Sequence, residues 1–352
     1  MEKLKIAIIG AGRIFRKHKE AIERQTNLKC VGVCDVIKER AEKAAAELNC
    51  ESYTDYVRML KVTKPDIVDI LVPSGLHAEI ALNSIPYTKN LIIEKPMALR
   101  LEDADKLIEK CDEKGVKLFV VKQNRFNLPV QALRKQIEKK RFGKLVLGTV
   151  RVRWCRTQEY YDSDSWRGTW EMDGGVLTNQ ASHHIDLLLW MMGSVESVMA
   201  KTTTRLVNIE VEDTAVVILK FTNGALGIIE ATTCARPKDL EGSISILGER
   251  GAVEIGGFAV NKIKHWQFYD YSEEDDFIVK NYNQNPPDVY GFGHIEFFKD
   301  VIESIIHHKK ALIDGIEGRK SLELINAIYE SAITGKEVFL KFSPVHSPLG
   351  KK

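Results

Sequence analysis

Apolar and polar positions follow two different rhythms along the chain. Short apolar runs with little polar alternation fill the first third: LKIAII (4–9), KCVGVCD (29–35), DIVDILV (66–72), NLIIEK (90–95) and KLFVV (117–121). Amphipathic stretches separate them, from Gly12 to about Arg24, then at 36–48, 77–85 and 101–114. Strands alternating with helices predict parallel βαβ units, and unbroken apolar runs predict a sheet covered on both faces. A first domain is therefore expected at residues 1–121 and a second at 122–352.

Beyond residue 121 the period changes. A helix is expected at 127–140 and a long alternating strand at 144–155, followed by a loop over 156–173. A helix over 175–192 comes next, then alternating strands at 195–205, 212–221, 225–235, 241–247 and 251–256. Period-two alternation predicts a mostly antiparallel open sheet, one face packed and the other free or paired with another subunit. Helices at about 291–308 and 317–334 close the pattern, and the tail after Phe342 reads as loose. The fold class expected is an α/β Rossmann domain followed by an α+β domain.

The 352 residues suffice for two such domains. A net charge of +2 argues against a nucleic-acid or membrane-surface binder. The opening residues lack the pattern of a signal peptide, no apolar stretch approaches a membrane span, and a cytoplasmic protein is expected. Its six cysteines are scattered without a CxxC pair, so no metal site is expected.

Candidate chemistry begins after the first strand, at Gly10-Ala11-Gly12-Arg13-Ile14-Phe15. Gly10 suits a tight turn and Gly12 the approach of a pyrophosphate to a helix N-terminus, while Phe15 occupies the place of a third glycine. Asp35, about 25 residues on at a strand end, is expected to accept hydrogen bonds from ribose hydroxyls, which favours NAD over NADP. Lys38 and Arg40 blur that preference. The plainer reading is a turn and a helix cap. Pro73-Ser74-Gly75-Leu76-His77 and Glu94-Lys95-Pro96 follow the third and fourth apolar runs, at the strand ends where an open parallel sheet binds ligands.

Together with GGVLTNQASHHID (174–186), these segments resemble the glucose–fructose oxidoreductase / inositol dehydrogenase / MocA-like family over essentially the whole chain. The resemblance implies that Lys95 and His183 serve the reacting hydroxyl, with Asp186 closing the pattern. It also puts Pro73 and His77 at the cofactor, and the glycine motif and the strand-end segments add Arg13, Ile14, Ser74, Glu94 and Pro96 to the expected cofactor set. Helical periodicity agrees about one residue: on a helix, Leu177, Ala181, Ile185, Leu188 and Met192 share a sector, opposite Asn179, His183 and Asp186. His184 falls at the edge of the apolar sector, where a core role is the plainer reading. The family usually carries Asp where this chain has Asn179, and an amide cannot be a carboxylate in a proton relay.

That asparagine, and the segment RWCRTQEYYD…WRGTW…DGGVLTNQASHHID (153–186), resemble one branch, the dehydrogenases of the C3 hydroxyl of UDP-N-acetylglucosaminuronic acid. Residues 151–170 hold Arg151, Arg153, Arg156 and Arg167 among Trp154, Tyr160, Tyr161, Trp166 and Trp170. Guanidinium forks suit phosphate and carboxylate, and aromatic faces suit a uracil or a sugar. The expected substrate set is Lys95, Gln123, Arg125, Arg156, Tyr160, Arg167, Asn179 and His183, with Lys95, His183 and Asn179 catalytic. For Arg151 and Arg153 an exposed cationic strand face is an equal alternative, and for Gln123 to Arg125 a structural hinge. The resemblance further implies polysaccharide biosynthesis, a partner aminotransferase, 2-oxoglutarate as one option for reoxidising NADH, and homodimers or homotetramers. Alternatives are a dehydrogenase of inositol or a free sugar, an NAD-using glycosidase, and a non-catalytic cofactor sensor.

Overall fold

The two rhythms build two sheets. A computed structural model describes residues 3–284 and 291–340; the expected loose tail lies outside the described residues. The first unit contains β1 (Leu4–Ile9), α1 (Phe15–Glu23), β2 (Leu28–Cys34), α2 (Lys38–Glu47), β3 (Glu51–Tyr53) and α3 (Tyr56–Thr63). It continues through β4 (Ile67–Ile70), α4 (His77–Ser84), β5 (Asn90–Ile93), α5 (Leu101–Lys114) and β6 (Lys117–Val120). All its strands are parallel in the order β3-β2-β1-β4-β5-β6, the doubly wound arrangement. Strand order reverses between β1 and β4, so their C-terminal ends open onto the crevice where such sheets bind ligands.

The second unit contains α6 (Leu128–Glu138), β7 (Leu145–Arg153), α7 (Gln158–Asp162), α8 (Ser182–Met192), β8 (Val195–Thr203), β9 (Thr214–Phe221), β10 (Leu226–Thr232) and β11 (Glu241–Gly248). After these come β12 (Gly251–Gly256), β13 (Lys262–Phe268), α9 (Glu273–Asn281), α10 (Gly293–His307), α11 (Gly315–Thr334) and β14 (Val338–Phe339). The eight strands run β13-β12-β11-β7-β10-β9-β8-β14, antiparallel except where β7 meets β10. Alternation along β9 sends Ala215, Val217 and Leu219 into a core shared with α8 and α11, and leaves Val216 and Ile218 exposed. Ile228 lies opposite Ile218, so the free face carries an apolar row.

Three expectations change. The helix expected from 175 begins at Ser182; the chain from Val176 to Gln180 is a series of turns in which the Ala181 amide reaches back to the Val176 carbonyl. Part of the 156–173 loop is the short helix α7. Third, α10 leaves its own sheet and lays Phe297, Phe298, Val301 and Ile302 into the core of the first unit. The sequence boundary at 121 thus divides the sheets but not the cores.

Candidate active site

The loop after β1 is shaped by contact. Gly10 has φ +102°, and a Cβ there would lie 2.7 Å from the Leu71 carbonyl group at the end of β4. Nothing lies within 4 Å of the corresponding point at Gly12, which opens toward solvent at the start of α1. The N-cap of α1, Ile14, has no side-chain capping bond, so its first amides face an uncapped end. Asp35 follows β2 and accepts the amides of Ala11 and Ile37, each at 2.8 Å, holding its carboxylate against the glycine loop. Phe15 turns inward and is buried in the core. An open, glycine-lined helix start beside a strand-end carboxylate fits the diphosphate and ribose of a dinucleotide.

The loops after β4 and β5 are locked to each other. The His77 ring nitrogens lie 2.6 Å from the Pro96 carbonyl oxygen and 2.8 Å from that of Val72, and the ring is buried. Burial lowers its pKa despite both carbonyls. His77, expected to line the cofactor, therefore clamps two loops, and Pro73 and Ser74 form their rim. The loop after β4 also docks across the crevice, where the Gly75 amide donates to the Met172 carbonyl at 3.0 Å.

Glu94, likewise expected at the cofactor, turns away from the crevice. His18 lies between Asp69 and Glu94, 2.8 and 2.9 Å from their carboxylates, with His294 at 3.6 Å from Glu94. All four groups are buried. Burial works to lower the His18 pKa, but the two carboxylates outweigh it and hold it at about 10. Burial would raise Glu94, yet hydrogen bonds and charge from the two histidines keep it well below the ordinary carboxylate range. The Lys95 amide donates to the other Glu94 oxygen at 3.0 Å.

Lys95 points the other way, and its half-buried amine donates to the Asn179 carbonyl oxygen at 2.7 Å. Burial lowers its pKa, opposed by Glu94 and Asp173 and reinforced by Arg167. His183 is buried at the start of α8, where the Gln123 amide nitrogen lies 3.2 Å from Nε2. Read as a donated hydrogen bond, that contact makes Nε2 the acceptor and puts the proton on Nδ1. Burial first, then the charges of Lys95 and Lys122, hold His183 well below the ordinary histidine range, so it is neutral at pH 7. Asn179 differs from its expected role: its side-chain amide binds Asp173, and its carbonyl serves Lys95.

Arg125 is a correction. It is 2% exposed and forms a two-pronged ion pair with Asp186 at 2.8 and 2.9 Å, a third contact to Glu317 at 3.1 Å, and a stack on Trp190. These partners take three of its five N–H donors and one face of the guanidinium, so it ties the segment after β6 to α8 and α11 rather than facing a substrate. Arg151 and Arg153 are also drawn away, to Glu230 and Glu241 on the sheet face. His184 packs edge-on against Trp154, consistent with a core position.

The loop arginines converge on Tyr160, although Arg156 is paired with Asp239 at 3.0 Å and Arg167 with Asp164 at 2.9 Å and with the Tyr160 hydroxyl at 2.8 Å. The guanidinium groups of Arg13, Arg156 and Arg167 stand 5.4, 5.4 and 4.7 Å from its ring centroid. Arg13 also donates to Ser163, so the glycine loop of one unit touches the aromatic loop of the other. Sequence reasoning passed over Lys122, which is buried, bonded to Ser321 at 2.6 Å and lowered by burial to about 8. It also passed over Asp173, His18, Asp69 and His294. An acid directly before two glycines and a histidine one turn into α1 were the available signals.

The model of the oxidoreductase family's NAD-binding Rossmann fold matches residues 4–122, and that of its C-terminal α/β domain matches 134–340. The chain belongs to this oxidoreductase family. As an NAD-binding oxidoreductase it is 25% identical to myo-inositol 2-dehydrogenase of Thermotoga maritima, over 96% of this chain and 99% of that protein. The WlbA dehydrogenase of Bordetella pertussis, solved with NADH and UDP-GlcNAcA, is 42% identical with a TM-score of 0.94, covering 97% of this chain and 99% of that one. A second WlbA dehydrogenase, from Chromobacterium violaceum and solved with the same ligands, is 42% identical with a TM-score of 0.92, covering 98% of each chain. Among the described residues no helix is long and apolar enough to cross a membrane.

Proposed function

We propose that this oxidoreductase oxidises the C3 hydroxyl of UDP-linked N-acetylglucosaminuronic acid to the 3-keto sugar. The observation that carries the reading is the cluster of Arg13, Arg156 and Arg167 around Tyr160. Three cations around an aromatic face, next to the Lys95 site, suit a ligand with a diphosphate, a carboxylate and a planar base. A free polyol offers none of these. The likeness to two WlbA dehydrogenases holding UDP-GlcNAcA supports the same choice.

NAD⁺, when bound, supplies the hydride acceptor. The protein handles the proton. Neutral His183 accepts the hydroxyl proton at Nε2, the nitrogen that Gln123 now faces. The Lys95 ammonium donates to the same oxygen and stabilises the negative charge that grows on it. The Asn179 carbonyl takes one Lys95 hydrogen and leaves two for that work. Reoxidation of NADH by 2-oxoglutarate and assembly into a dimer or tetramer complete the reading.

The test is single-turnover NADH formation with UDP-N-acetylglucosaminuronate, compared with inositol, glucose and a chromogenic glycoside. Reduction by the UDP-sugar alone is expected, and Lys95→Ala and His183→Ala should each be slower by about a thousandfold. Reduction by inositol or glucose in preference to the nucleotide sugar would overturn the substrate assignment. Near-normal rates in both variants would overturn the residue roles.

A further inference from the structure

Lys95 meets a buried carboxylate through one intervening residue. Its amine donates to the Asn179 carbonyl, the Asn179 side-chain amide donates to Asp173 Oδ1, and Asp173 Oδ2 accepts the Gly168 amide at 2.9 Å. Asp173 is 1% exposed. Its far side is thus tied to the residue after Arg167, in the loop that carries the arginine cluster. We propose that Asp173 is a positioning residue for hydride transfer: it fixes the Asn179 carbonyl under Lys95, and its negative charge keeps that amine protonated. This rests on the reading of Lys95 as the ammonium that stabilises the reacting oxygen.

The surrounding charges support the assignment. Glu94 and Asp173 attract the Lys95 proton, while Arg167 repels it; Lys122, His77 and His183 also lie within electrostatic reach. Around Asp173 stand Lys95, Arg167, Asn179, the Gly168 amide and Tyr161. Burial pushes its carboxyl upward, and these hydrogen bonds and cations oppose the push. Glu94 is already shared between His18, His294 and the Lys95 amide, which leaves Asp173 as the carboxylate on the ligand side of the lysine.

Asp173→Asn isolates the charge. An asparagine there accepts from Gly168 with its carbonyl and donates to Asn179 once the Asn179 amide flips, so both hydrogen bonds survive. The experiment is single-turnover NADH formation against pH for the whole protein, Asp173→Asn and Lys95→Ala. Loss of an attracting charge lowers the lysine pKa, so the ammonium disappears at lower pH. The alkaline limb of Asp173→Asn should therefore move down by about one unit. Coincident alkaline limbs, with Lys95→Ala still slow, would overturn the proposal and leave the role of Lys95 standing. Lys95→Ala at near-normal rate would remove both. If Asp173→Asn yields no folded protein, Asn179→Ala decides, since it cuts the tether and leaves the backbone carbonyl. It should lower kcat more than tenfold with NADH affinity unchanged, and an unchanged kcat would refute the tether.

Discussion

Removing the Asp186 charge should destabilise the protein by about 3 kcal/mol or more, and removing its partner as well should restore most of the loss. Arg125 and Asp186 are each about 2% exposed and share two charge-assisted hydrogen bonds of 2.8 and 2.9 Å. Asp186→Asn keeps the shape but leaves the buried guanidinium one neutral acceptor in place of two charged ones, with Glu317 as its remaining carboxylate and Trp190 on its face. Losing one member of such a pair costs about 3–5 kcal/mol, whereas replacing both by apolar groups of similar volume is close to neutral. Arg125→Met combined with Asp186→Leu keeps a long side chain over Trp190. Glu317 retains Lys320, and Lys122, already lowered to about 8, keeps Ser321 and goes neutral. Urea unfolding read by tryptophan fluorescence measures all three proteins; a loss of about 3 kcal/mol corresponds to a fall of about 4 °C or more in Tm for a chain of this length. The reasoning fails if Asp186→Asn costs less than about 1 kcal/mol, or if the double variant is no more stable than the single one.

Gly10→Ala should lose NADH affinity, read by nucleotide fluorescence titration, because the new Cβ meets the Leu71 carbonyl in a left-handed backbone; unchanged affinity would show that the loop relaxes freely. The His18 pKa is raised from 6.5 to about 10, so its stabilisation is full below 6.5, declines as pH rises, and is gone above 10. His18→Gln should flatten the fall in unfolding free energy between about pH 7 and pH 9 by close to one proton, or about 1.4 kcal/mol per pH unit, and an unaltered slope would refute the charged histidine. Ile218→Asp, on the free sheet face, should reduce the mass measured by light scattering if that face joins subunits, and an unchanged mass would exclude it.

The parallel sheet was legible because β1, β2, β4 and β5 are apolar runs closed by a glycine, an acid or a proline, and β6 is an apolar run that ends at Lys122. β3 escaped because three residues, two of them exposed, carry no period, and α3 escaped although Asp55 caps it and accepts the Arg58 amide. β13 hides its alternation among lysines and a histidine, and α9 announces itself only through the Ser272–Asp275 capping box. Lys95, Asn179 and His183 stood out by motif, and the structure brings the first two into contact. Which atom of Asn179 acts was not legible, because one residue offers a backbone oxygen and a side-chain amide and periodicity does not distinguish them. The partner of Arg125 lies 61 residues away, and the choice between that carboxylate and a ligand depends on how the segment after β6 packs against α8.

The path of α10 sets an order on biosynthesis. Phe297, Phe298 and Val301 seal a core whose other walls come mostly from the first third of the chain, with Ala311, Ile313 and Leu322 added from beyond α10. A nascent nucleotide-binding unit leaving the ribosome, whose last strand ends at Val120, therefore stands with an apolar flank open until α10, which starts only at Gly293, has been made. Truncation before α10 should yield a sticky, chaperone-bound fragment rather than an independent module.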